Sequence, residues 1–471
     1  MAMLATPVTN ELPTIEQEIG PALLTLRKTF DAEITKSLAW RRKQLNALIR
    51  MMHEAEDRLV KALADDLGKP YLEAWAGEIH AVVSEAQYAL KHLKTWTKAR
   101  NVLVPVAFQP ARSYIQPEPL GVALIIAPWN YPVQLAFSAL VGAIAAGNCA
   151  IIKPSELAPH TADLMAELCE AYLDPDAIRV INGGIETSTA LLAERFDTIF
   201  YTGSTAVGRI VMTAAAKHLT PVTLELGGKS PCIVLDQPDI DVTARRIVWG
   251  KFFNAGQTCI APDYVLVEKS LQEPLLQAIK KYITQFYGST PRTSPDFARI
   301  VNLRHHQRLC KLLRDGRVVI GGETSGEDRF IAPTVLADVS PDAPVMQEEI
   351  FGPILPVIAI DNAEEAIQFV RARPKPLALY IFTGNAALAD DIVRRTSSGG
   401  VCINECLSHA VGHNLPFGGV GESGMGAYHG KTSFDTFSHM KSVMRKPFGM
   451  EPPLRYPPYS DAKTRWIKRL I

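Results

Sequence analysis

The sequence predicts an α/β protein in which parallel β-sheets carry helices on their faces. From about residue 121, short apolar strands such as GVALIIAP, NCAIIKP and FDTIFYTGS alternate with helical stretches, and this order produces parallel sheets. A similar alternation returns further along, in PCIVLD, DYVLVEK, LPVIAI and LALYIFTG. Ligands of such sheets bind beyond the carboxyl ends of the strands, so we expect the functional residues there.

Length and composition limit the class of protein. The chain has 471 residues, enough for two or three domains, and 47% of them are hydrophobic. Its 49 basic and 49 acidic side chains cancel, which argues against nucleic acid as a partner. Seven cysteines, an odd number, do not predict a disulfide framework, and no Cys/His set has the spacing of a metal site. We therefore expect no metal and a reducing, cytoplasmic location, and residues 1–18 lack the pattern of an export signal.

The predicted elements follow in a definite order. Residues 14–100 place apolar side chains three and four positions apart, which predicts helices. The proline-containing alternation at 101–121 predicts a β-hairpin at the edge of the protein. Strands and helices then alternate as far as GGVCIN, and a glycine-rich, then basic and proline-rich segment begins at Gly418. Prolines and polar residues interrupt the uncharged stretch 121–152, so it predicts a buried strand and helix rather than a membrane span.

Three residues at predicted turns or strand ends have the chemistry of a catalytic site. Cys259 follows a Gly-Gln-Thr turn, which suggests a helix start whose dipole lowers the pKa of the thiol; a core cysteine is the alternative. Glu225 lies in an apolar strand and is either a salt-bridged structural group or a general base with a raised pKa. Asn130, between two prolines, either donates to an oxyanion or caps the following helix.

Two strand-to-helix loops have the composition of a nucleotide site. Lys153 and Glu156 in IIKPSE could hold ribose hydroxyls or phosphate. In YTGSTAVG, Gly203, Ser204 and Gly208 could let a pyrophosphate approach a helix N-terminus. This loop is not a Walker loop, because no Lys-Ser/Thr pair follows Gly208. An ordinary turn with serine as a helix cap is the alternative for each loop.

Several motifs occur in one order along almost the whole chain: PWNYP, KPSE, YTGSTAVG, ELGGKSP, NAGQTCIAPDY, EEIFGP and LPFGGVGESGMGAYHGKTSFDTFSH. In this set the chain resembles the aldehyde dehydrogenase superfamily. APDY, AYHGK and RYPP are similar to class 3 enzymes, the group of fatty aldehyde and coniferyl aldehyde dehydrogenases. The resemblance implies a Rossmann-type cofactor-binding domain at 1–226, with an oligomerisation hairpin at about 101–120. It also implies an α/β catalytic domain at 227–423, then a bridging segment and C-terminal tail at 424–471.

The resemblance assigns catalytic roles and a reaction. Cys259 is the expected nucleophile, Glu225 the general base, and Asn130 the oxyanion donor together with the backbone N–H of Cys259. The implied function is NAD(P)-dependent oxidation of an aldehyde to a carboxylic acid through a cysteine thiohemiacetal and a thioester. A cysteine-dependent esterase or thioesterase is the alternative function, and an inactive structural or binding protein is a second. The esterase leaves the two nucleotide-type loops unexplained, and retention of all three residues argues against an inactive protein.

The resemblance also implies how NAD or NADP binds. Lys153 and Glu156 would hold the adenosine ribose, and Gly203 and Ser204 would lie against the pyrophosphate. Since Glu156 would repel a 2′-phosphate and Lys153 would attract it, we expect both cofactors to be used. The full set of expected cofactor-binding residues, including two at the nicotinamide ribose (Glu349 and Phe351), is Trp129, Lys153, Ser155, Glu156, Gly184, Gly203, Ser204, Gly208, Leu226, Glu349 and Phe351.

The substrate and the partners are predicted more coarsely. Trp75, Tyr131 and Tyr428 are candidate walls of an apolar pocket, with simple packing as the alternative for each. No cluster of arginines calls for a charged substrate, so we expect medium- or long-chain aliphatic, or aromatic, aldehydes. The class 3 resemblance and the uncovered hairpin imply a homodimer. The basic and apolar tail at 461–471 is expected to pack on a partner subunit, with peripheral membrane contact as the alternative.

Overall fold

The first elements of the chain are helices, as residues 14–100 predict. The computed structural model describes residues 15–449, 453 and 456–470, so most of the segment examined for an export signal, residues 1–14, lies outside the described residues. A π-helical turn at Trp75–His80 joins the fourth helix to the fifth. The helices in chain order are α1 (Ile15–Asp31), α2 (Leu38–Glu54), α3 (Glu56–Leu67), α4 (Tyr71–Ala74), α5 (Ala81–Trp96), α6 (Pro132–Ala146), α7 (Pro159–Tyr172), α8 (Ile185–Ala193), α9 (Thr205–Ala216), α10 (Ile240–Phe252), α11 (Lys269–Tyr287), α12 (Leu303–Leu312), α13 (Pro344–Gln347), α14 (Ala363–Arg371), α15 (Ala386–Arg395), α16 (Gly430–Thr436) and α17 (Asp461–Leu470).

The strands form two large sheets and two small ones. In chain order they are β1 (Arg100–Val102), β2 (Arg112–Pro119), β3 (Val122–Ile126), β4 (Cys149–Lys153), β5 (Ile178–Val180), β6 (Thr198–Thr202), β7 (Val222–Glu225), β8 (Pro231–Val234), β9 (Tyr264–Glu268), β10 (Arg317–Ile320), β11 (Thr324–Ser325), β12 (Phe330–Ile331), β13 (Thr334–Ala337), β14 (Ile354–Ile360), β15 (Ala378–Phe382), β16 (Gly400–Ile403), β17 (Gly424–Met425) and β18 (Ser438–Arg445). The smallest sheet pairs β11 with β12.

The first large sheet has the strand order β5-β4-β3-β6-β7-β17. Its first five strands are parallel, and β17 runs antiparallel to β7. The chain runs from β3 outward through β4 and β5, then crosses to the other side of β3 for β6 and β7. The loops that follow β3 and β6 therefore diverge, and a crevice opens between them at the carboxyl ends of the strands.

The second large sheet has the order β10-β13-β14-β9-β8-β15-β16. All neighbours in it are parallel except β10, which runs antiparallel to β13. Both large sheets are thus parallel except for one edge strand each and carry helices between their strands, so the predicted α/β class is confirmed. The division of the chain at residues 226 and 423 stays a prediction.

The predicted hairpin is present, and a third strand from far along the chain completes its sheet. β1 pairs with β2, and β18 pairs with β2 along its whole length, from Ser438 opposite Pro119 to Arg445 opposite Arg112. The tail helix α17 contacts the short turn at Val106–Phe108 within the hairpin. The segment after residue 424 therefore returns to the first half of the chain twice, at β17 and at β18.

The uncharged stretch 121–152 forms β3, α6 and β4, which are buried. Pro132 occupies the first turn of α6, where its missing N–H costs no hydrogen bond. Gly147, at a φ of +96°, ends the helix in the left-handed conformation that glycine adopts most easily. Within the part of the chain that the structure describes, no helix combines the length and the apolar character needed to cross a membrane.

Candidate active site

A cavity of about 1010 Å³ lies at the carboxyl ends of β3, β6 and β7. It contains the three candidate catalytic residues and six of the expected cofactor residues: Trp129, Gly203, Ser204, Leu226, Glu349 and Phe351. The lining residues are 128–130, 202–206, 225–229, 259, 305, 308, 342, 346–349, 351, 372–375 and 422. The crevice of the first sheet and Cys259, which lies in the second half of the chain, therefore belong to one cavity.

Cys259 lies in a turn, and the expectation that it begins a helix is wrong. α10 ends at Phe252. Asn254 and Ala255, which follow shortly after it, both have a φ of 52°. Because this left-handed conformation ends a helix, Cys259 follows in an irregular turn with no helix dipole behind it. Gly256 also has a positive φ, and a Cβ at this position would clash with the carbonyl oxygen of Gly352.

Cys259 is partly exposed and forms no disulfide. Burial raises its pKa, and the nearby carboxylates of Glu349 and Glu225 raise it further. The predicted lowering of this pKa is therefore wrong for the free protein. A nucleophilic thiolate at this position requires a base that takes the thiol proton.

Glu225 is the last residue of β7 and is only 2% exposed. Neither of its carboxylate oxygens has a hydrogen-bond partner, so the salt-bridged alternative is not observed. Burial raises the pKa of this carboxyl group well above its ordinary value. A carboxylate of this kind can take up and release a proton closer to neutral pH, as a general base must.

Asn130 is buried directly after β3, and its amide Nδ2 donates to the carbonyl oxygen of Gln257 at 3.0 Å. The amide is therefore aimed at the turn that carries Cys259. Asn130 does not cap the following helix, because the side chain of Glu78 accepts the hydrogen bonds of the first turn of α6. The helix-cap interpretation of Asn130 is therefore wrong, and the oxyanion donor stays a prediction.

Glu349 and Phe351 line the cavity on a segment that the sequence places in EEIFGP. Burial, then the charge of Asp263, raise the pKa of Glu349 to about 8. Its carboxylate packs against Gly227, where a Cβ would clash with it. The ring of Phe351 meets that of Trp129 edge to face at a centroid distance of 5.3 Å.

Two residues that hold this segment, Lys229 and Asp263, were quoted in motifs without a role. The ammonium of Lys229 donates to the carboxylate of Asp263 and to the carbonyl oxygens of Val345 and Glu348, the latter two at 2.8 and 2.9 Å. Asp263 also accepts from the backbone N–H of Ile350 at 3.0 Å. The available sequence signal was only that each is a charged residue inside one of the quoted motifs, ELGGKSP and NAGQTCIAPDY.

The remaining residues that were predicted to bind the cofactor lie at the same sheet edge but outside the cavity lining. Lys153 ends β4, with its side chain almost fully buried, and forms an ion pair with Glu156 at 2.9 Å. Ser155 accepts from the N–H of Leu157 at 3.2 Å, and Gly184 precedes α8. Gly208 lies inside α9, where a Cβ would come within 2.7 Å of Leu226, so this glycine lets helix and strand end pack closely.

None of the three candidate substrate-pocket residues lines this cavity. The partly exposed Trp75 stacks on His80, and the buried Tyr428 packs edge to face against Phe200 and Phe417, as the packing alternative predicts. Tyr131 differs, because its hydroxyl bonds the hydroxyl of Thr258, next to Cys259, at 2.7 Å.

Sequence reasoning missed two aromatic residues beside Tyr131. Phe253 stacks on Tyr131 at 6.5 Å, and Trp249, which is 41% exposed, meets Phe253 edge to face at 5.7 Å. The only available sequence signal was the spacing of four residues between Trp249 and Phe253, which is typical of one face of a helical stretch. The three rings form a row of aromatic contacts from the partly exposed Trp249 to Tyr131, which bonds the turn of Cys259.

The strand order and the crevice are those of a dinucleotide-binding sheet, and the cavity adds a cysteine and an unpaired carboxylate to it. A dehydrogenase that works through a covalent cysteine intermediate requires this combination.

Comparison with known proteins gives the family. The sequence profile of the aldehyde dehydrogenase family matches residues 16–443, and this chain belongs to that family. The chain is 52% identical to aldehyde dehydrogenase family 3 member A2 of Rattus norvegicus, over 94% of this chain and 92% of the relative. A substrate-bound structure of AldH from Staphylococcus aureus superposes with a TM-score of 0.94 at 46% identity, covering 96% and 99% of the two chains. An NAD⁺ complex of an aldehyde dehydrogenase from Bacillus cereus gives a TM-score of 0.83 at 28% identity, covering 91% and 89%.

These findings confirm the resemblance to class 3 enzymes and the predicted activity. The protein is an NAD(P)-dependent aldehyde dehydrogenase. Nothing in the comparisons supports the alternative of a cysteine-dependent esterase.

Proposed function

We propose that Cys259 is the nucleophile, Glu225 the general base, and Asn130 with the N–H of Cys259 the oxyanion donors. One observation carries the proposal: Glu225 is buried without a partner and lines the same cavity as the partly exposed thiol. A buried, unpaired carboxylate is costly in a structural position and useful as a base.

The reaction then follows from these groups. The sulfur of Cys259 bonds to the aldehyde carbon, and its proton passes to Glu225. Asn130 and the backbone N–H of Cys259 donate to the carbonyl oxygen as it becomes negative. NAD(P)⁺, when bound, supplies the acceptor for the hydride that leaves this carbon. Glu225 releases the thiol proton to solvent and then takes a proton from a water molecule that attacks the thioester carbon. The carbon–sulfur bond breaks, and the thiolate of Cys259 takes the proton back from Glu225 as the thiol.

We propose that the cofactor is held along the edge of the first sheet. Gly203 and Ser204 line the cavity at the start of α9, where free N–H groups and the helix dipole favour a pyrophosphate. Lys153 and Glu156, at the end of the neighbouring strand, would hold the adenosine ribose. Glu349 would hold the nicotinamide ribose, and its carboxylate, fixed against Gly227, has one defined direction.

Replacing Glu156 by glutamine is expected to shift cofactor use toward NADP⁺ by about tenfold, which corresponds to about 1.4 kcal/mol. The change removes a negative charge that would repel a 2′-phosphate and releases the ammonium of Lys153 from its ion pair. The measurement is kcat/KM for NAD⁺ and NADP⁺ at a fixed aldehyde concentration. Glu186→Gln, an exposed glutamate at the start of α8, is the control and should leave the ratio unchanged. An unchanged ratio in Glu156→Gln would contradict the assignment.

We propose that the substrates are medium- or long-chain aliphatic, or aromatic, aldehydes. The support is the row of aromatic rings formed by Tyr131, Phe253 and Trp249, which extends from the surface to the hydrogen-bonded neighbour of Thr258 in the turn of Cys259.

A series from acetaldehyde to decanal, with benzaldehyde, tests the proposed substrate class. We expect kcat/KM to rise about fourfold per methylene until the aldehyde chain extends past the three rings, because each buried methylene contributes about 0.8 kcal/mol. Trp249→Ala should reduce the gain at the long end and leave acetaldehyde unchanged. A flat or falling series would contradict the proposal.

We also propose a cytoplasmic homodimer joined through the small sheet. The support for the dimer is a group of exposed apolar residues on the hairpin and on α17, namely Leu103, Val106, Phe108 and Trp466. The basic residues of α17 allow at most peripheral contact with anionic lipid. All seven cysteines are free thiols, which supports a reducing compartment.

A further inference from the structure

Lys69 and Glu78 form an ion pair whose side chains are both 0% exposed. The ammonium of Lys69 lies 2.5 Å from Oε1 of Glu78. Lys69 follows the end of α3, and Glu78 lies in the π-helical turn between α4 and α5, a local distortion often found at functional sites. Buried charges destabilise a protein unless their other bonds are satisfied. The remaining partners of both side chains therefore indicate what the pair does.

The ammonium of Lys69 has three donors and three partners. The first partner is Glu78, the second is the backbone carbonyl oxygen of Asn130 at 2.9 Å, and the third is the ring of Tyr131, whose centroid lies 4.2 Å away. Each donor of the ammonium therefore has a partner. Two of the three partners, Asn130 and Tyr131, lie in the turn that follows β3.

Glu78 holds the next part of the same segment. Its second oxygen, Oε2, accepts from the backbone N–H groups of Val133 and Gln134, each at 3.0 Å. These are free donors in the first turn of α6, whose own N-cap residue, Tyr131, makes no side-chain capping bond. The ion pair therefore fixes residues 130–134 from both sides.

This segment is joined directly to the turn of Cys259. The carbonyl oxygen of Asn130 also accepts from Nδ2 of Asn254 at 2.9 Å, and the amide of Asn130 donates to Gln257. The hydroxyl of Tyr131 bonds that of Thr258. A displacement of residues 130–131 would therefore move the amide of Asn130 relative to Cys259.

We propose that Lys69 and Glu78 are positioning residues that keep the amide of Asn130 directed at the oxyanion formed on a Cys259-bound substrate. The inference rests on the roles proposed above for Asn130 and Cys259. Neither Lys69 nor Glu78 touches the substrate; they act through the backbone of residues 130–134.

A double-mutant cycle of Lys69→Met and Asn130→Ala tests this, with the single-turnover rate of cofactor reduction as the readout. Loss of an oxyanion donor lowers such rates by about 10²- to 10³-fold, and misplacement of one by about 10- to 100-fold. If Lys69 acts through Asn130, the double variant is no slower than Asn130→Ala alone. Losses that multiply, or a wild-type rate in Lys69→Met, would overturn the inference.

Two further measurements separate positioning from a general loss of structure. Alkylation of Cys259 by iodoacetamide, followed on its peptide by mass spectrometry, needs no oxyanion donor and should keep its wild-type rate in Lys69→Met. A parallel fall of alkylation and cofactor reduction would indicate a collapsed site and overturn the inference. Arg41→Met is the matched control: this buried side chain donates to the carbonyl of Ala145 at the other end of α6, so its loss should lower Tm and leave the rate unchanged.

Two further variants distinguish misfolding from a wrong assignment of Asn130 as the oxyanion donor. If the unpaired Glu78 prevents Lys69→Met from folding, Lys69→Met/Glu78→Gln removes both charges and enters the cycle in its place. A wild-type rate in Asn130→Ala would contradict the proposed oxyanion donor itself. A slow Asn130→Ala beside a fast Lys69→Met would contradict only the positioning role.

Discussion

Replacing Cys259 by alanine is expected to lower aldehyde oxidation by at least about 10⁴-fold, because the covalent intermediate can no longer form. The variant should still bind the dinucleotide, since the sheet edge that carries Lys153, Gly203 and Ser204 is untouched. The measurements are the rate of cofactor reduction with a saturating aldehyde and the dissociation constant of NAD⁺ from protein fluorescence.

Cys310→Ala is the matched control for the nucleophile. Cys310 is also partly exposed, but it lies on α12 outside the cavity lining. This variant should keep full activity. Substantial oxidation by Cys259→Ala, or a comparable loss in Cys310→Ala, would show that the nucleophile is not Cys259.

Replacing Glu225 by glutamine is expected to separate the two halves of the reaction. Reduced cofactor should still appear in a burst of about one equivalent per active site, in a slower phase than in the wild type because Glu225 also takes the thiol proton of Cys259. Turnover should then be slower by about 10²- to 10⁴-fold, because no base activates the water that hydrolyses the thioester. Stopped-flow absorbance of the reduced cofactor measures both phases. An unchanged steady-state rate would mean that Glu225 is not the base.

The pH dependence of the same experiment gives a second check. Glu225 acts as a base only when it is deprotonated, and burial raises its pKa. The steady-state rate of the wild type, where hydrolysis limits it, should therefore increase with pH through a range above the ordinary glutamate value of about 4.3. This limb should be absent from Glu225→Gln. Glu85→Gln, which alters a buried glutamate bonded to His413 and Gly430, should lower stability without producing a burst.

Local pattern predicted most of the fold, and long-range pairing was the part it missed. The strands β3, β4 and β6 are short, apolar and bounded by turns, so periodicity alone identifies them. β18 was not predicted as a strand, because SHMKSVMR is mostly solvent-exposed and has little apolar alternation. Its pairing with β2 depends on residues far away in the sequence.

The site was predictable where a residue type is unusual for its surroundings, as with Glu225 in an apolar strand. The conformation of Cys259 was not: Asn254 is of a type enriched at positive φ, but Ala255, which has the same φ of 52°, is not, so the sequence contains no sign that the helix ends there. Lys69 and Glu78 were missed for another reason. A charged residue in a helical pattern normally faces water, and only the packing of α6 against this region shows that these two do not.

The three-stranded sheet also sets the order of events during synthesis. Pro119 in β2 lies opposite Ser438 in β18, a separation of 438 − 119 = 319 residues. A growing polypeptide can assemble β3 to β7 on the ribosome, but β2 keeps an unpaired edge until translation has passed residue 445. A surface built on that sheet forms only afterwards, so in the proposed homodimer only subunits whose β18 has been synthesised can pair there.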